Sequence, residues 1–219
     1  MKTLADKKTK DKQAEVPDEV LEEQVMLAHQ ILQPPEDSIS RNVGLFGDVG
    51  EETSGELVKT LLTLRDIGSR EEKVRGKVVV KNDPINFYIC TNGGSANDMF
   101  AIYDTMRWTK SVCDIETIGL GKVMSAGVLL LAAGTKGKRK VGKHCRIMIH
   151  SVAAGNEGPI HNLQNEMEEV NFTQQAYISA LKKETKMSEQ TIKKMFERHV
   201  NIYLSAEEAV KLGIADEVI

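Results

Sequence analysis

An apolar strand, a glycine turn and an amphipathic helix follow one another directly in the middle of the chain, and this order constrains the fold more than any other feature. The segment KVVVKNDPINFYIC ends in the strand, TNGGS forms the turn, and NDMFAIYDTMRWTK continues as the helix. The later apolar segments DIETIGLG and CRIMIH also alternate with helical segments. Such alternation predicts an α/β fold in which helices cover a parallel or mixed sheet.

The helical segments differ in length and in apolar pattern. GELVKTLLTLRDIG has amphipathic spacing, KVMSAGVLLLAAG is apolar throughout, and MSEQTIKKMFERH is short. A long helix is predicted over about residues 158–186. A helix of that length would protrude from a domain of this size.

The chain divides into one large domain and an N-terminal region. Residues 1–15 are rich in lysine and lack an apolar pattern, which predicts a disordered tail. Residues 16–40 have helical spacing that stops before Pro34 and Pro35, which predicts a short helix within an extension. Residues 41–219 are then expected to form one domain with a sizeable core.

Charge and apolar pattern exclude several classes of partner. The 29 basic and 32 acidic residues leave a formal net charge of -3, which gives no indication of nucleic-acid binding. The longest apolar run, near Val128, is far shorter than the roughly 20 residues that cross a bilayer. Because the first residues also lack a secretory pattern, we expect no membrane association and a cytoplasmic location.

Three cysteines, without CxxC spacing, argue against a disulfide framework and against a zinc site. Their simplest interpretation is that of small buried apolar residues. Cys145 lies five residues before His150 in one apparent strand, and an odd separation sends the two side chains to opposite faces. This separation weakens any Cys–His dyad, and we expect neither a bound metal nor a small cofactor.

Three positions carry residue types that suit acyl-transfer chemistry. Ser125, in GKVMSAG, lies between a strand and an apolar helix, where free N–H groups favour developing negative charge, although a lone serine in this position is more often a helix cap. The turn from Asn92 to Ser95 contains two glycines, which let backbone N–H groups approach a ligand. His150 ends an apolar strand, at the sheet edge where α/β active sites lie.

Four segments together resemble the proteolytic subunit of the Clp protease family, a serine peptidase family. They are FYICTNGGSANDMFAIYDTM, GKVMSAGVLLLAAGTKGKRK, CRIMIH and YLSAEEAVKLGIADEVI, and they occur in the family's order over roughly residues 41–219. The stretch SREEKVRGKVVVKNDP looks like an insertion relative to the family. The resemblance implies a crotonase/ClpP-like fold of repeated β-α units with the long helix as a protruding handle.

The resemblance also implies roles for individual residues. Ser125 matches the nucleophile and His150 the general base, and the backbone N–H groups of Gly94 and Ala126 match the oxyanion hole. Counting back from LSA places Asn201 where the family has the aspartate of its catalytic triad. An asparagine can orient the imidazole but cannot stabilise imidazolium by charge, so weaker or conditional activity is expected.

Assembly and partners follow from the same resemblance. The family forms two stacked heptameric rings, a tetradecamer, whose long helices interlock and whose active sites face an enclosed chamber. Unfolded polypeptide reaches such a chamber through a hexameric AAA+ Clp unfoldase that consumes ATP. The chain has no GxxxxGK[ST] loop, so ATP is expected to be the partner's ligand and not its own cofactor.

Other functions remain open on the sequence alone. The first is a catalytically impaired ring component, with an assembly or regulatory role, in which Asn201 has replaced the aspartate. The second is a hydratase or isomerase of the crotonase type, which shares paired N–H donors but needs coenzyme A and catalytic carboxylates. A capsid-maturation peptidase with this fold is a further variant, and fold analogy does not exclude it.

Overall fold

The computed structural model describes residues 40–67, 69–74, 77–198 and 200–219, and the side chains of residues 69–81 are outside that description. The tail predicted over 1–15 and the helix predicted within 16–40 lie outside these residues. The described residues form a seven-stranded sheet and a separate two-stranded sheet. The strands are β1 (Asn42–Phe46), β2 (Ser69–Val74), β3 (Lys77–Asn82), β4 (Ile85–Thr91), β5 (Ile115–Met124), β6 (Arg139–Val141), β7 (Arg146–Ile149), β8 (Ile202–Leu204) and β9 (Glu217–Val218).

The larger sheet is mixed. Its main order is β1-β4-β5-β6-β9, with parallel pairs throughout, and β7 pairs with the end of β5. β8 pairs with β7 in the antiparallel direction. The parallel or mixed sheet expected from the alternating pattern is therefore confirmed.

Six helices accompany the strands in the described residues. They are α1 (Glu51–Ile67), α2 (Ala96–Thr109), α3 (Ala126–Ala132), α4 (Ile160–Glu184), α5 (Glu189–Phe196) and α6 (Ala206–Leu212). All seven residues of α3 are buried, as its uniformly apolar sequence requires, whereas α1 buries one stripe of leucines. α4 falls within the predicted range of about 158–186, and the side chains of its first ten residues are almost all exposed. None of the described helices is both long and apolar enough to span a membrane.

The sequence pattern predicts one strand at the end of KVVVKNDPINFYIC, whereas the structure has two strands in this segment.

 Among the described strands, β3 pairs with β2 alone, in the antiparallel direction and outside the main sheet, while β4 begins after Asp83 and Pro84. Together β2 and β3 cover most of SREEKVRGKVVVKNDP, the stretch that looks like an insertion relative to the family. Proline lacks an N–H group for strand pairing, which accounts for the break at this point.

β5 extends further than its apolar pattern indicates, and this extension positions the site. Residues 122–124, which the sequence assigned to a turn and helix start, belong to the strand. β5 pairs with β6 before Gly121 and with β7 after it, and Gly121 has a φ of 64°. Because the strand changes partner there, its carboxyl end lies beside the end of β7.

Candidate active site

Ser125 occupies a sharp bend between β5 and α3. Its backbone has φ 53° and ψ -118°, and it is the one non-glycine residue with positive φ in the described part of the chain. Such a conformation is costly for a residue with a Cβ atom. Its side chain makes no capping hydrogen bond to α3, so the simple capping interpretation is wrong and the hydroxyl is available for another partner.

His150 is that partner. The Nε2 atom of His150 lies 2.9 Å from the Oγ atom of Ser125. Met124 pairs with Met148 on the neighbouring parallel strands. This pairing explains the short distance, because Ser125 directly follows β5 and His150 directly follows β7. The Ser125 N–H also donates to the Met148 carbonyl, at 2.8 Å. With a neutral imidazole, the hydroxyl donates to Nε2, as a nucleophile does to its general base.

The glycine turn lies against the same bend. Gly93 and Gly94 have φ values of 98° and 150°. A Cβ atom on Gly94 would lie 2.1 Å from the carbonyl oxygen of Val49. Val49 is hydrogen-bonded to the turn on both sides: its N–H donates to the Gly93 carbonyl, and its carbonyl accepts from the Ser95 N–H. A Cβ atom on Gly93 would lie 2.5 Å from the Ser125 Cβ atom. Close backbone approach therefore requires glycine at both positions.

A cavity of about 190 Å³ joins these elements, and it is lined by Gly94, Ser125, Ala126 and His150 together with Met99 and Tyr177. Within the described residues, neither the Gly94 N–H nor the Ala126 N–H donates to a protein group. Two unused backbone donors beside a serine hydroxyl can hold a developing oxyanion. The structure thus brings four of the five sequence-predicted site residues to one cavity.

Asn201 is the fifth residue, and its predicted role stays a prediction. Antiparallel pairing of Ile149 with Ile202 places it next to the strand position of His150, one residue beyond the paired segment. Asn201 is exposed, and no hydrogen bond joins its side chain to His150 among the described residues. The register therefore brings the two residues near each other without the contact that a triad needs.

The cysteines lie outside this cavity. All three thiols are free; Cys113 and Cys145 are buried, whereas Cys90 is only partly buried. Burial raises the pKa of Cys145 to about 11, so this thiol stays protonated near neutral pH. No cluster of histidine, cysteine and carboxylate side chains suited to a metal ion occurs within the described ranges.

Sequence reasoning missed Tyr177, which lies in the buried half of α4. Its hydroxyl donates to the Ser125 carbonyl oxygen at 3.0 Å, and its side chain lines the cavity. Burial raises its pKa. A tyrosine in a long helix carries no local signal for such a contact, because the contact depends on how α4 packs on α3.

Comparison with known proteins places these features in one family. The model of a family described as Clp protease matches residues 38–219. The ATP-dependent Clp protease proteolytic subunit 1 of Prochlorococcus marinus (strain MIT 9312) is 38% identical over 182 residues, which cover 82% of this chain and 84% of the relative. The protein of the same name from Corynebacterium jeikeium (strain K411) is 34% identical over 179 residues, covering 82% and 87%.

A solved structure agrees with these relatives. The crystal structure of the ClpP protease catalytic domain from Plasmodium falciparum is similar with a TM-score of 0.65 and 32% sequence identity. The match covers 82% of this chain and 84% of that one. It confirms the expected ClpP-like fold.

Proposed function

The chain belongs to the Clp protease family, and we propose that it is a serine endopeptidase subunit with Ser125 as nucleophile and His150 as general base. The observation that carries this proposal is the 2.9 Å distance between Ser125 Oγ and His150 Nε2. That distance lies within the range over which a base takes a proton from a nucleophile. The cavity beside the pair is where the peptide carbonyl would bind.

The proposed reaction has two stages. His150 removes the Ser125 proton as Oγ attacks the peptide carbonyl, and the Gly94 and Ala126 N–H groups hold the oxyanion. His150 then gives the proton to the departing amine, which leaves an acyl group on Ser125. Water then attacks the acyl carbon as His150 takes its proton, the bond to Ser125 Oγ breaks to release the acid, and His150 returns the proton to Oγ. No metal or small cofactor takes part in these steps.

The exposed half of α4 supports an oligomeric assembly. Ile160, Met167 and Phe172 are 74%, 60% and 70% exposed, which is unusual for large apolar side chains on one helix. We expect this surface to be covered by other copies of the chain, in two stacked heptameric rings. A hexameric AAA+ Clp unfoldase would use ATP to deliver unfolded polypeptide, in the cytoplasm.

Asn201→Asp tests whether the native residue limits catalysis. In a serine–histidine–aspartate site, exchange of aspartate for asparagine lowers kcat by about 10⁴-fold, because the histidine tautomer changes. We expect the reverse exchange here to preserve or raise kcat for a short fluorogenic peptide. A large increase would identify the native chain as the catalytically impaired ring component.

Asn156→Asp is the matched control, since it adds the same charge at an exposed residue in the loop before α4. We expect its kcat to equal that of the native chain. If Asn201→Asp instead caused a large fall in kcat, Asn201 would not occupy the orienting position, or asparagine would be specifically required there.

Gly93→Ala tests the close packing of the glycine turn on the nucleophile. The new Cβ atom would lie 2.5 Å from the Ser125 Cβ atom and 3.0 Å from the Ala126 nitrogen. Because a displacement of about 1 Å can cost 10²-fold in rate, we expect kcat/KM for the fluorogenic peptide to fall about 10²-fold. Gly55→Ala, where the Cβ atom meets nothing within 4 Å, should leave kcat/KM unchanged. Equal activity of the two variants would contradict this packing.

A further inference from the structure

We propose that Tyr177 is a positioning residue whose hydroxyl fixes the peptide plane between Ser125 and Ala126, and thereby the Ala126 N–H. This inference rests on the proposed function, in which that N–H is one of two oxyanion donors. It adds Tyr177, a residue of α4, to the groups that position the oxyanion donors.

The Tyr177 hydroxyl contacts the carbonyl oxygen of the peptide unit between Ser125 and Ala126. The Ser125 carbonyl oxygen accepts from the Tyr177 hydroxyl at 3.0 Å and from the Val128 N–H at 3.0 Å. A carbonyl oxygen has two lone pairs, so both are used. Because the peptide unit is planar and trans, the Ala126 N–H points away from the carbonyl oxygen that Tyr177 holds. Fixing the oxygen therefore fixes the direction of the donor.

The backbone at this bend needs such a restraint. Ser125 has φ 53° and ψ -118°, a conformation that a residue with a Cβ atom rarely adopts. Strained backbone persists only when its surroundings hold it. Rotation of the plane after Ser125 would relieve the strain and would also turn the Ala126 N–H away from the oxyanion.

Tyr177 is itself held firmly. Its side chain is 4% exposed, and its ring stacks on that of Phe196 in α5, with centroids 5.9 Å apart and an angle of 7° between the planes. Burial raises the pKa of the hydroxyl, so it remains a donor at neutral and mildly basic pH. The hydrogen bond from Tyr177 is therefore kept at neutral and mildly basic pH.

A purely structural role makes a different prediction. A buried tyrosine hydroxyl usually finds a hydrogen-bond partner, and loss of that bond alone would lower stability without slowing the chemical step. A positioning role lowers kcat while KM and the midpoint of the pH–rate profile stay the same, since neither the substrate contacts nor His150 changes.

Tyr177→Phe separates the two roles, and Tyr103→Phe is its control. Tyr103 is also buried, and its hydroxyl donates to Glu184 Oε1 at 3.0 Å. We expect kcat of Tyr177→Phe on the fluorogenic peptide to fall about 10-fold, less than the 10²–10³-fold typical of deleting an oxyanion donor. The rate of fluorophosphonate labelling should fall with it, while labelling still proceeds to one adduct per chain. Tyr103→Phe should keep the native kcat.

Hydrogen exchange measured by mass spectrometry reports how firmly the backbone around Ser125 is held, and it requires no enzymatic activity. We expect faster amide exchange in the peptide that spans Ser125 in Tyr177→Phe, and unchanged exchange there in Tyr103→Phe. Native exchange and native kcat in Tyr177→Phe would overturn the inference. Absence of hydrolysis by the native chain would refute the proposed function instead, and the exchange rates would still show whether Tyr177 holds the bend.

Discussion

Ser125→Ala is expected to lower kcat for peptide hydrolysis by about 10⁴–10⁶-fold, the loss typical of removing a serine nucleophile. The hydroxyl lies 2.9 Å from the His150 Nε2 atom, a distance over which a base takes a proton from a nucleophile. His150→Ala should cost a similar factor, since without a base the serine stays a weak nucleophile. The double variant should lose little more, because the two groups act as one unit. Steady-state rates on the fluorogenic peptide measure all three variants.

Ser179→Ala provides the matched control. Ser179 is exposed on α4, and the same atom is removed without touching the cavity. We expect native kcat from this variant. Substantial hydrolysis by Ser125→Ala, at the same assembly size as the native chain, would show that another residue performs the attack.

Arg139→Met is expected to lower the free energy of unfolding by about 3–5 kcal/mol, because it removes a buried charged partner and leaves carbonyl oxygens without their donor. Arg139 is 3% exposed and pairs with the Asp216 carboxylate, with Nε 2.7 Å from Oδ2. Its guanidinium also donates to the backbone carbonyls of Ala132, Glu184 and Gly213. One side chain thus joins the ends of α3, α4 and α6 to Asp216, the residue directly before β9. Denaturation in urea measures the loss.

The dependence of the free energy of unfolding on acidic pH provides a second measurement on the same variant. Arg139 lowers the pKa of Asp216 from 3.8 to about 2, with smaller support from the Gly137 N–H. A depressed folded-state pKa gives stability that is present above pH 3.8 and is lost as pH falls towards 2. Arg139→Met should reduce this acid-dependent part. Arg146→Ala, at an exposed arginine, should stay within about 0.5 kcal/mol of the native stability; equal losses in the two variants would contradict the role of Arg139.

The sequence was sufficient for the fold class because the strong patterns lie in the core. The apolar run of α3 and the alternating residues of β4 are almost completely buried, and burial is what those patterns report. The three shortest strands were not predicted. β6, β8 and β9 have two or three residues each, and they exist because neighbouring strands pair with them, which local sequence does not encode.

For the site, local motifs pointed to residues that the structure brings together where a backbone turn does the positioning. Ser125, His150 and Gly94 each follow a strand, so strand ends and glycines were informative. Tyr177 reaches the site through the packing of α4 on α3, and no local motif marks that contact. Asn201 was found only by alignment to a family pattern, and the structure places it beside the histidine strand without joining the two side chains.

Intact-mass analysis after fluorophosphonate treatment tests the central claim most directly, with the size of the oligomer recorded on the same sample. The reagent reacts readily with a serine whose proton a nearby base can remove. We expect one adduct per chain on the native protein and none on Ser125→Ala. A native protein that assembles fully and acquires no adduct would contradict an activated Ser125 and would favour a ring component without catalytic activity.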